Sequence, residues 1–150
     1  MNFDLLNEAV DRAIKSLLLN DSFLLEIDVH ERSISHKLAE YLQREFSGWN
    51  VDCEYDRNME NVKKRLQRII PFRDSEKSQG DVYPDIIIHH RGTKDNLLVM
   101  EIKTSTNRTS KEFDCHKLRA FKDELGYQFA LFVRFRTGTS ESSVEEFEYI

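Results

Sequence analysis

Leu97-Leu98-Val99-Met100-Glu101-Ile102-Lys103-Thr104 is the stretch on which the reading of this chain turns. Its apolar start predicts a strand covered on both faces, and so central in a sheet. Strand alternation sends Leu97, Val99, Glu101 and Lys103 to one face and Leu98, Met100 and Ile102 to the other. A carboxylate and an ammonium therefore leave the end of an apolar strand together. Burying them is costly unless a metal ion or an anionic ligand compensates. Upstream, Val82 to His90 predicts another strand, with Ile86, Ile87 and Ile88 in succession, and 91–96 a turn. An antiparallel hairpin closed there is centred between Thr93 and Lys94, and it sets Asp85 opposite about Ile102. A one-residue change of register would bring Asp85 onto the face of Glu101 and Lys103. Two carboxylates beside a lysine suit a hard divalent cation and a phosphate.

Helical periodicity lies on both sides of this hairpin. Residues 3–19 place Phe3, Leu6, Val10, Ala13, Ile14 and Leu17 at helical spacing. A second helix is expected over 31–46, where Ile34, Leu38, Leu42 and Phe46 form one stripe before Gly48 stops it. Glu31 falls at the centre of that stripe. Residues 49–55 alternate as a half-buried strand, and 114–125 form a helix with Leu118, Phe121 and Leu125 on one side. Asp114 and Lys117 stand to that apolar side as Glu31 stands to its own. Strands are expected at 127–135 and, as an edge, at 144–150. From Glu31 onward the order is helix, strand, strand, strand, helix, strand. That order predicts a single α/β domain with a central mixed sheet, and the helix at 3–19 is an extra element.

The order and the motif together resemble one family. Pro84-Asp85, followed sixteen residues later by Glu101-Ile102-Lys103, resembles the signature of the PD-(D/E)XK nucleases, which include restriction endonucleases and Holliday-junction resolvases. The tripeptide is the only acid-any-Lys in the chain, and it falls at the end of an expected central strand. The resemblance covers about 28–136. It implies that Asp85 and Glu101 bind Mg²⁺, with Mn²⁺ as the usual substitute. Ile102 would offer its backbone carbonyl, and Lys103 would position or activate the attacking water. By position Glu31 matches the glutamate that several branches carry on the first core helix, which would make it a further catalytic and metal-binding carboxylate that completes the shell or orients a water, and Asp114 or Lys117 matches a polar residue of the second. The implied reaction is phosphodiester hydrolysis of nucleic acid, DNA being the expected form, leaving 5′-phosphate ends. Dimerisation, common among such look-alikes, would give two sites on two strands.

Charge and composition frame the rivals. The net charge is −5, yet residues 1–56 carry −7, 57–122 carry +6 and 123–150 carry −4. A basic middle suits phosphate, although charge runs are more often solvated faces. The segment 57–80 is expected to be a mobile basic loop or short helix ended by Pro71. Lys63, Lys64, Arg65 and Arg68 would become nucleic-acid contacts if it folds over the site. Glu31 and Asp114 also suit helix N-termini, where the macrodipole favours acids, and Asp114 equally suits a cap. Lys117 could be a lysine whose stem lies on the surface. The five histidines are read as structural or surface groups. Cys53 and Cys115 form no CxxC pair and are read as core or near-core thiols, which points to a reduced, cytoplasmic setting. No apolar run reaches the ~20 residues of a membrane span. Two rivals to the nuclease remain: a nuclease-fold binding module without catalysis, and a structural subunit whose Asp–Glu–Lys cluster is only a salt-bridge network.

Overall fold

Asn2 starts the first helix by accepting the Leu5 N–H on its side chain at 2.9 Å, which satisfies one of the donors a helix start leaves bare. The helix, α1, runs Phe3–Asn20. The computed structural model describes residues 1–55, 61–62, 64–65 and 83–150. After α1 come α2 (Ser22–Glu26), α3 (Glu31–Glu45), β1 (Asn50–Cys53), β2 (Ile86–His89), β3 (Asn96–Thr104), α4 (Lys111–Leu125), β4 (Phe129–Arg136) and β5 (Ser143–Tyr149). Residues 61–62 and 64–65 are helical. The expected order holds, with a short additional helix, α2, between the first two expected ones.

Local chemistry fixes the ends of these elements. His30 caps α3, its Nδ1 accepting the Arg32 N–H at 3.2 Å. Ser110 caps α4, its Oγ accepting the Glu112 N–H at 3.2 Å, and so that helix starts three residues before the expected Asp114. Asp114 lies inside the helix and is not its cap. Gly126 closes α4 with φ +71°, a left-handed conformation that glycine adopts without strain. β1 is shorter than expected because Glu54 takes φ +47°, which breaks the alternation. Tyr55 consequently packs with the cluster on the other sheet face from Val51.

The five strands form one mixed sheet in the order β1-β2-β3-β4-β5. β3 and β4 are parallel, joined through α4, and the other neighbours are antiparallel. One face bears Ile86, Ile88, Leu98, Met100, Ile102, Leu131, Val133 and Phe135, covered by α1 and α3. The other bears Ile87, Val99, Ala130 and Phe132, covered by Leu118, Ala120 and Phe121 of α4 and by Val62. The chain is thus a single layered α/β domain. α1 is not peripheral, since Leu6, Ala9, Val10, Ala13, Ile14 and Leu17 all enter the larger core. Cys115 is buried, but Cys53 is exposed, contrary to expectation, because it sits at the end of an edge strand. No helix among the described residues is long and apolar enough to cross a membrane.

Helix α3 is held by burial, so its core residues should carry its stability. Leu38 is fully buried and Leu19 is 82% exposed. Leu38→Ala should cost about 2–5 kcal/mol, and Leu19→Ala should stay within about 0.5 kcal/mol of the parent. Urea unfolding of both variants checks the contrast.

Candidate active site

The β2–β3 register decides which side chains meet. Ile86 pairs with Met100, Ile87 with Val99 and Ile88 with Leu98, whereas His89 pairs with Asn96. A bulge between Ile88 and His89 thus supplies the one-residue shift that a plain hairpin lacks. Leu97 joins the cluster under α1 and α3 instead of alternating with Val99. Continuing the register sets Asp85 opposite Glu101, not Ile102, and on the face shared by Ile87, Val99, Glu101 and Lys103. Asp85 Oδ2 accepts the Ile102 N–H at 2.7 Å. An extended residue turns its N–H and C=O to the same flank of its strand, so the Ile102 carbonyl also faces the Asp85 side.

Helix α4 closes the cluster from above. Asp114 and Lys117, three apart, share one face of the helix, and that face meets the sheet. Lys117 Nζ lies 2.8 Å from Glu101 Oε2, and Lys103 Nζ lies 3.5 Å from Asp114 Oδ2. Strand and helix are therefore cross-linked twice, with the charges reversed between the pairs. Glu101 is 2% exposed, and its Oε1 has no hydrogen-bond partner. Lys117, which could have been a surface lysine, is buried.

Burial governs the electrostatics. It pushes the Glu101 carboxyl well above the usual carboxylate range, against the pull of Lys117 and with the help of Asp85 and Asp114. Asp85 is raised for the same reason, opposed by Lys117, the Ile102 N–H and Lys103. Asp114 is raised by burial, opposed by Lys103 and Lys117. Burial would lower Lys117, but Glu101, Asp85 and Asp114 together more than offset it.

Glu31 approaches from the α3 side. Its Oε1 accepts the Thr104 N–H at 3.1 Å and the Asn107 side-chain N–H at 2.7 Å, one residue beyond Lys103. It stays close enough for its charge to be felt by Asp85 and Asp114. A cleft of about 230 Å³ lined by Asp28, His30, Glu31, Thr104, Thr106 and Asn107 opens beside it.

The basic segment does not join this site where it is described. Arg65 pairs with Asp123 at 2.5 Å and Glu124 at 3.3 Å, at the far end of α4, nine residues or about 13 Å along the axis from Asp114. Lys64 lines a depression with Asn61, Arg65 and Glu124 at that same end. Where it is described, then, Arg65 does not fold over the site, and its guanidinium is held by α4 acids. Lys63 and Arg68, the Pro71 break and the rest of the expected mobile segment lie outside the described residues.

Two residues at the site have no place in the sequence reading. Arg134 is the register partner of Lys103 across β3 and β4, and it pairs with Glu146 at 3.0 Å. A lone arginine between Val133 and Phe135 in an apolar strand was its available signal. Asn107, which holds Glu31, lies in a loop without a distinguishing pattern.

The donor set suits a hard divalent cation. Glu101 Oε1 is a buried oxygen without a partner, and Asp85 is near enough for its charge to be felt by Glu101. Among the described residues no three His, Cys, Asp or Glu side chains gather closely enough to hold a metal by themselves. Main-chain oxygen and water would have to complete the shell, which is usual for Mg²⁺. Searched against protein-family models, curated proteins and solved structures, the chain has no match.

The raised carboxyls predict a pH signature. A carboxyl whose folded pKa is raised destabilises the fold above that pKa, and the penalty vanishes as pH falls to the unfolded value. Asp85→Asn keeps an oxygen for the Ile102 N–H and removes the charge. In metal-free buffer it should raise the unfolding midpoint at pH 7–8, and the gain should shrink as pH falls towards 4. Thermal melts with a chelator across that range check it; a gain that grows on acidification contradicts it.

Proposed function

We propose that the chain is a Mg²⁺-dependent phosphodiesterase acting on nucleic acid, with DNA the expected form. The observation that carries the reading is the meeting of Asp85, Glu101 and Lys103 on one sheet face, with Ile102 bonded to Asp85. The resemblance to PD-(D/E)XK nucleases and the order helix, three strands, helix, strand support it. Asp85, Glu101 and the Ile102 carbonyl would hold the cation, with Mn²⁺ as substitute. Glu31, fixed by Thr104 and Asn107, would lie at the margin and orient water. Such a cation polarises a phosphate and lowers the pKa of water.

The protein's own groups do the rest. Lys103 leaves β3 two residues after Glu101 and presents its ammonium where negative charge grows on the phosphate oxygens. Asp114 faces that ammonium at 3.5 Å, a charge contact without a hydrogen bond at its Oδ2. Leu118, Phe121 and Phe132 close the inner wall and keep water from the core side. The fixed charges thus act in a medium of lower dielectric than water, where they are worth more.

One observation favours the second reading, a nuclease-fold module without catalysis. Both lysines are already paired with carboxylates, as in a purely structural network. Cleavage separates the two. Wild-type protein should nick supercoiled or branched DNA with Mg²⁺ or Mn²⁺. Glu101→Gln should abolish that activity. Lys103→Ala should lower turnover about 10²–10³-fold. It should leave Mn²⁺ affinity nearly unchanged, since a protonated lysine has no lone pair for a metal. Protein that binds Mn²⁺ yet leaves every DNA and RNA form intact transfers the reading to the binding module.

A further inference from the structure

We propose that Lys117 fills the place of a second metal ion, so that the site takes one divalent cation per chain. The inference rests on the phosphodiesterase reading and sets its metal count. Two-metal sites hold their ions about 3.5–4 Å apart and need a carboxylate that faces both. Glu101 is the carboxylate placed for that duty, buried between β3 and α4. Its Oε2 is taken by the Lys117 ammonium at 2.8 Å, and only Oε1 stands without a partner. A second ion on the α4 side would have to displace an ammonium whose side chain is 11% exposed.

The reversed pairing agrees. Asp114 engages Lys103 and so leaves Lys117 alone with Glu101. Lys117 is thus a positioning residue: it acts through Glu101 by fixing one oxygen and leaving the other, buried Oε1 unpaired.

The test counts ions on the full chain, by Mn²⁺ calorimetry and by electron paramagnetic resonance, which detects coupling between neighbouring Mn²⁺ ions. Wild-type protein should bind one Mn²⁺ with no coupling. Lys117→Arg keeps the charge and should still bind one. Lys117→Gln frees Glu101 Oε2 and should bind two, with coupling. Circular dichroism checks its fold; if it does not fold, the wild-type and Lys117→Arg counts decide. Two coupled ions in the wild type overturn the inference and leave the phosphodiesterase reading standing. So does a folded Lys117→Gln that binds one ion with wild-type affinity. No Mn²⁺ bound up to millimolar concentration overturns the metal-dependent reading itself, and the count falls with it.

Discussion

Every feature of the candidate site depends on one register. Asp85 reaches Glu101 because β2 and β3 pair with a bulge near their turn. A strand has a side-chain period of two, so a slip of one residue moves a whole set of side chains across the sheet. Without the bulge, Asp85 would meet the apolar layer under α1 and α3, where nothing could compensate its charge. The bulge therefore does more than bend a hairpin. It puts carboxylate and lysine on the side covered by α4, which brings an opposing pair of charges in Asp114 and Lys117.

That arrangement carries an energetic cost. Three carboxyls are pushed towards their neutral forms by burial, and both lysines serve to hold them. Buried ion pairs of this kind repay their desolvation poorly, and apolar residues of similar volume often do as well or better. A network kept for stability alone would thus be a weak solution. The bare Oε1 of Glu101 leaves the network one contact short, which is the place the proposed cation would take. The apolar layers under α1 and α3 offset the cost, which sets a large core against a small polar end.

Much of this was legible in the sequence because the strong signals are periodic. The stripes of α1 and α3, the isoleucine run of β2 and the placement of Glu101 and Lys103 follow from spacing alone. What escaped is set by single local contacts. The bulge arises in the pairing of His89 with Asn96, and no pattern announces it. The start of α4 moved because the Ser110 hydroxyl found the Glu112 N–H, which turned Asp114 from a cap into a buried acid. Lys117 was ambiguous because a long stem allows either surface or burial, and the choice depends on Glu101, sixteen residues upstream. Local charge likewise says nothing of the acids that α4 brings to Arg65.

The outer rims of the sheet bear on how two copies could meet. β1 is four residues long and ends where Glu54 turns away, which gives a visiting strand little to extend. β5 is longer, but Glu145, Glu146 and Glu148 stud it. Lys111 and Arg134 already engage Glu146, and Lys111 also Glu148, so a strand added at this rim would have to fit around ion pairs that tie β5 to α4 and β4.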